Sequence, residues 1–100
     1  MRVAVLSISG SNPVTLPLGH AIGEADFLRE WGDPHIPDKA VTVTVNGIPI
    51  TADDLTPTEM LQARLRVAEL GAIYYGTQAS RDTASDEARA LRVQLAGVLG

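Results

Sequence analysis

Two histidines and a glutamate are the side chains in this sequence best suited to acid–base chemistry or metal binding. His20 and Glu24 are four residues apart, and His35 follows close to Asp33. Imidazole and carboxylate groups exchange protons near neutral pH and bind divalent metals. His20 and Glu24 share a helical face only if a helix begins before Gly23. Their spacing matches no standard metal site, so we expect loop and capping roles for these three candidate catalytic residues, and no metal or cofactor.

Other polar groups have local structural explanations. Asp53 and Asp54 precede a helix start, where the helix dipole favours acidic side chains. The serines after the first apolar segment are followed by Pro13 and Pro17, which interrupt the immediate helix start that a phosphate-binding loop requires. The chain contains no cysteine, which excludes disulfides, thiolate zinc sites and thiol nucleophiles. No catalytic constellation emerges, which favours a non-catalytic protein.

Composition and charge exclude two further classes of function. The formal net charge is −4 and Lys39 is the sole lysine, so the basic surface typical of nucleic-acid binders is absent. Arg64 and Arg66 are two residues apart and therefore diverge on a helix. No apolar run approaches the roughly 20 residues of a membrane span. We expect a soluble, cytoplasmic protein that binds neither nucleic acid nor membrane.

The few aromatic residues and one strand are candidates for protein–protein contacts. Tyrosine is enriched at interfaces because it combines apolar area with a polar tip, although packing in the core and at its rim is the more ordinary role for these rings. A strand that carries Pro49 is expected at a sheet edge, where a partner strand can add. The candidate interaction residues are Phe27, Trp31, Tyr74, Tyr75, Ile48 and Ile50.

Three segments have the composition of strands. Residues 2–9 are apolar on both faces, which predicts a central strand. Residues 41–45 alternate valine with threonine, and residues 48–52 continue beyond Asn46-Gly47, a pair typical of a tight hairpin turn. Residues 72–75 are compatible with a further strand or with the last turn of a helix.

Three segments have helical patterns. Phe27 and Trp31 share a face in residues 24–31. Thr56, Pro57 and Glu59 form a capping-box signature for a helix over residues 57–70. A second, less complete box, from residue 83 to residue 86, predicts a helix over residues 84–98. Residues 10–40 contain four of the six prolines, and outside 24–31 we interpret them as a long loop or arm of a single domain covering residues 1–100.

These elements predict an α+β fold with a small antiparallel or mixed sheet. A strand at 72–75 would give a split βαβ arrangement, and a helix there would give a three-stranded sheet with a helical hairpin on one face. In both arrangements the stripe of Leu61, Leu65 and Ala68 covers the valine face of residues 41–45. The hairpin-then-helix order of residues 41–71 also resembles part of a ubiquitin-like β-grasp, in element order alone.

The sequence therefore predicts a non-catalytic interaction or assembly module that binds a protein partner or itself, as a subunit of a larger complex or virus particle. The alternative is a small enzyme or ligand-binding domain that uses residues 10–38.

Overall fold

The structure, a computed structural model, describes residues 2–8, 12–31 and 41–99. Four strands form one antiparallel sheet in the order β2-β1-β3-β4, and three helices complete a small α+β fold. A short 3₁₀ turn, Ala52–Asp54, precedes the second helix. The elements are β1 Val3–Ile8, β2 Val14–Pro17, α1 Leu18–Trp31, β3 Val41–Val45, β4 Ile48–Pro49, α2 Pro57–Tyr74 and α3 Gln78–Leu99.

β1 lies in the centre of the sheet, as its apolar composition predicts, with β2 on one side and β3 on the other. β3 and β4 form the expected hairpin. Asn46 and Gly47 connect them with φ values of 52° and 82°, the positive-φ pair that a type I′ turn requires. The hairpin strand expected over 48–52 is limited to Ile48–Pro49, although the N–H of Ile50 still donates to the Val43 carbonyl of β3.

Helix α1 covers the inner face of the sheet. Leu18, Ala21, Ile22 and Ala25 of α1 are buried in one cluster with Ala4, Leu6, Val41 and Val43 of the strands. α2 then packs on α1, and α3 packs on α2. The expectation that Leu61 and Leu65 cover the valine face was wrong. These two side chains pack against Ala68, Ala88 and Leu91, towards α3.

Two glycines explain why α1 can lie between the sheet and α2. A Cβ on Gly19 would come within 2.6 Å of the Glu59 carbonyl oxygen, and a Cβ on Gly23 would overlap the backbone of Ala63. The backbones of α1 and α2 therefore approach more closely than any larger residue allows. Glycine is a poor helix former, so the same two glycines weaken the helical pattern in the sequence. The helix was therefore expected to begin at residue 24, whereas α1 begins at Leu18.

The segment interpreted as a loop or arm holds regular structure from Val14 to Trp31. β2 pairs with β1 from Val14 to Pro17, and the N–H of Leu18 then donates to the carbonyl of Arg2 at 2.9 Å. Pro13 and Pro17 lie before and at the end of an edge strand, a position that tolerates proline. Residues 14–31 are thus a folded part of the domain, whereas residues 32–40 lie outside the described residues.

The boundaries of α2 and α3 show one confirmation and two differences. The capping box of α2 is confirmed, with Thr56 and Glu59 bonding reciprocally. Residues 72–74 continue α2, which removes the split βαβ alternative.

The helical hairpin is present, but it packs on α1 rather than on the sheet, so the β-grasp resemblance does not extend to the packing. α3 begins at Gln78, where the hydroxyl of Thr77 accepts from the N–H of Ser80 at 3.1 Å, so the box expected at residues 83–86 was wrong.

Candidate functional site

His20 and Glu24 share a face of α1, because the helix begins before both of them. Glu24 nevertheless forms an ion pair with α2, since its Oε1 accepts a hydrogen bond from Nη2 of Arg66 at 2.7 Å. Burial lowers the pKa of His20, and the nearby positive charge of Arg66 lowers it further. This arrangement keeps the imidazole neutral more readily than in water and gives Glu24 a structural role. His35, the third candidate, lies outside the described residues.

The ion pair of Glu24 belongs to a polar network that joins the three helices. Arg66 also faces Glu69 with an Nη1–Oε1 distance of 4.0 Å, and Glu69 Oε2 accepts from Arg92 Nη2 at 2.9 Å. The network runs from α1 through α2 to α3, so it orients the helices relative to one another. Within residues 2–8, 12–31 and 41–99, no group of three His, Asp or Glu side chains is placed to hold a metal ion.

Among the aromatic candidates, Phe27 is buried and Tyr75 is partly buried. The Phe27 side chain is buried, with ring centroids 6.2 Å from Tyr74 and 5.9 Å from Tyr75, distances typical of favourable aromatic pairs. The ring of Tyr75 lies against Gly71. Tyr74 is half-exposed. The aromatic group therefore fastens α1 to the end of α2, and the side chain of Trp31 lies outside the described residues.

The isoleucine candidates differ in exposure. Ile48 is 64% exposed at the β4 edge of the sheet. Ile50 packs partly against the core, and its N–H donates to the Val43 carbonyl at 3.0 Å. Ile48 is therefore available for contacts at this edge and Ile50 contributes to the interior.

The face of the sheet opposite α1, which we call the outer sheet face, is open among the described residues. Side chains alternate between the two faces of a strand, so the residues before and after each buried residue point outward on this face. Most are exposed and the remainder are partly exposed, and all of them are uncharged. The outer sheet face consists of Val3, Val5, Ser7, Thr15, Pro17, Thr42, Thr44 and Pro49.

The strand register places hydroxyl groups on both sides of an apolar centre. Val5 lies opposite Thr15 on β2 and opposite Thr44 on β3. Ser7 lies opposite Thr42 in the same face. A hydroxyl both donates and accepts a hydrogen bond, so this surface offers apolar contact together with hydrogen bonds that do not depend on a partner's charge.

The sequence contains part of the signal for this surface. The alternation of Thr42 and Thr44 with valine indicates a face turned away from the core. On β1 this alternation is absent, because Val3 and Val5 are apolar as well. Apolar residues on both faces are typical of a strand buried on both sides. Thr15 and Pro17 were missed because the prolines around them are typical of a loop.

The chain matches no protein-family model, and no curated protein and no solved structure matches it. Among the described helices, none combines the length and the apolar character needed to cross a membrane. The geometry of the molecule is therefore the basis for a functional proposal.

Proposed function

We propose that this protein is a non-catalytic assembly module that associates with another copy of itself, within a larger complex or particle, through the outer sheet face. The observation that carries the proposal is a four-stranded sheet whose outer face, in the described strands, holds no charged side chain. A fifth of the residues in the chain are charged, so a surface without charge is a distinct region of this protein.

Electrostatics favour a second copy on this surface. The chain carries a formal net charge of −4, and two copies therefore repel each other when their acidic surfaces meet. Contact through the outer sheet face brings no pair of like charges together. Two-fold symmetric contacts place the same patch on both subunits, and hydroxyl groups that donate and accept are suited to such self-complementary pairing.

The sheet edges are less suited to assembly than the face. β2 is flanked by Pro13 and ends at Pro17, and β4 has two residues, one of them Pro49. Prolines and short strands on an edge hinder the addition of a further strand. Packing of face on face is therefore favoured over strand addition. The four strands have only two to six residues each, so one face of this sheet supports a weak, concentration-dependent association.

The experiment is size-exclusion chromatography with light scattering over a range of concentrations. Thr42→Glu adds a charge to the outer sheet face, and Ser85→Glu adds the same charge to the exposed surface of α3 as a matched control. We expect the mass of the unmodified protein and of the Ser85→Glu variant to rise with concentration, while Thr42→Glu stays monomeric. A wild-type protein that is monomeric at millimolar concentration, or equal effects of the two variants, would contradict the proposal.

A further inference from the structure

A groove of about 300 Å³ lies over α2, between α1 and α3. Its floor is formed by small and apolar side chains, including Ala63, Val67 and Ala68 of α2. At one end is Met60, whose side chain is 48% exposed. The floor thus leaves apolar area in contact with water on a surface separate from the outer sheet face.

The walls of the groove follow the helices. On α1 the lining residues Ile22, Asp26 and Glu30 are spaced by four, so they form a straight row about 12 Å long. Met60, Arg64 and Val67 repeat at helical spacing on α2. A straight, open trough two to three helical turns long accommodates a rod better than a compact small molecule.

Acidic groups stand on both sides of the apolar floor. Asp26 and Glu30 project from α1, and Glu87 projects from α3. Arg64 is the single cation among the lining residues that the structure describes, and its Nη2 is 3.8 Å from Oε1 of Glu87. The described lining therefore carries more negative than positive charge. Asp26 Oδ1 lies 3.6 Å from Nη1 of Arg29, outside the lining, and burial raises the pKa of Asp26. A cation placed beside these carboxylates would stabilise their charged forms.

We propose that this groove binds a short amphipathic helix of a partner protein, whose apolar stripe is flanked on both sides by lysine or arginine. An amphipathic helix lays its apolar face into a hydrophobic groove through side chains at positions i, i+4 and i+7. The apolar floor receives that stripe, and the carboxylates on the two walls receive the flanking cations. The groove and the outer sheet face share no residue, so this inference is independent of the self-association proposed above.

The test uses two synthetic amphipathic helices and NMR titration of the full chain. One peptide has leucine at helical spacing with lysine on both flanks, and the other replaces each lysine by glutamate. We expect the lysine peptide to bind about ten-fold more tightly than the glutamate peptide, with shift changes at Ala63, Val67 and Ala84. The affinity should fall as salt concentration rises.

A matched pair of double variants locates the charge effect. Glu30→Gln with Glu87→Gln removes two carboxylates from the groove, and Asp82→Asn with Asp86→Asn removes two from the exposed surface of α3. We expect the first variant to weaken binding of the lysine peptide about three- to ten-fold and the second to leave it unchanged. Absence of binding, equal affinity for the two peptides, equal effects of the two variants, or shift changes centred on the outer sheet face would each overturn the proposal.

Discussion

Arg2 and Glu59, which are 57 residues apart, join the start of the sheet to the start of α2. Arg2 Nε donates to Oε2 of Glu59 at 3.0 Å, and Nη2 donates to the Asp54 carbonyl at 2.8 Å and to Oε1 of Glu59. The same carboxylate accepts from the backbone N–H of Thr56 at 2.9 Å and so closes the capping box. The hydrogen bonds from Arg2 lower the pKa of Glu59 to about 2, and those from Thr56 contribute to the same shift.

Replacing Glu59 by Gln removes the charge that these donors share and leaves the Arg2 guanidinium with weaker partners. We expect Glu59→Gln to reduce the free energy of unfolding by about 1–3 kcal/mol, measured by urea denaturation at pH 7. Asp86→Asn serves as the control, because the Asp86–Arg89 ion pair is exposed, and it should change stability by less than about 0.5 kcal/mol. Equal midpoints for the two variants would remove the structural role assigned to Glu59.

The stability that Glu59 contributes should depend on pH in a defined direction. Its pKa is about 2 in the folded state, against an ordinary value of 4.5. The unfolded chain therefore takes up the proton first as pH falls, and protonation favours unfolding. We expect the difference in unfolding free energy between wild type and Glu59→Gln to be full above pH 5 and to shrink steadily down to pH 2. A difference that stays constant over this range would show that the charge of Glu59 is not what stabilises the fold.

The close packing of α1 on α2 predicts opposite effects for two glycine-to-alanine changes. Gly23→Ala places a methyl group against the backbone of Ala63, and such overpacking costs about 1–3 kcal/mol. Gly97→Ala, within α3, meets no atom within 4 Å and should stabilise by up to about 1 kcal/mol through helix propensity. Thermal unfolding of both variants measures the contrast. A Gly23→Ala protein as stable as wild type would mean that the two helices are further apart than described.

His20 provides a second pH-dependent contribution, near neutral pH. Its pKa is lowered from 6.5 by burial and by Arg66, so the unfolded state binds the proton more tightly than the folded state. Stability should therefore fall as pH decreases through 6.5, and His20→Gln should abolish that part of the decrease. NMR titration of the imidazole measures the pKa directly, and a value at or above 6.5 would contradict the described environment.

Local signals in the sequence predicted the elements that depend on a few neighbouring residues. The hairpin follows from Asn46-Gly47, whose backbone preferences are intrinsic, and the start of α2 follows from Thr56, Pro57 and Glu59. The central position of β1 follows from its apolar composition. The hairpin and the helix start are determined by interactions within a short stretch of chain, whereas the position of β1 also depends on its pairing with β2 and β3.

The features that sequence reasoning missed depend on contacts between distant segments. Gly23 is a poor helix former on its own, yet α1 tolerates it because Ala63 packs against its backbone. That contact lets α2 pack closely on α1, while Leu61 and Leu65 face α3. The outer sheet face was only partly predictable, because Val5 has the same residue type that a buried position would have.

Self-association through the outer sheet face is tested most directly by a dilution series of NMR spectra with assigned amide resonances. We predict that, as concentration increases, shifts change progressively at Val5, Thr15 and Thr44 while Ser85 and Gln94 of α3 stay constant. Concentration-independent spectra, or changes centred on α3 with the strands unaffected, would contradict the account.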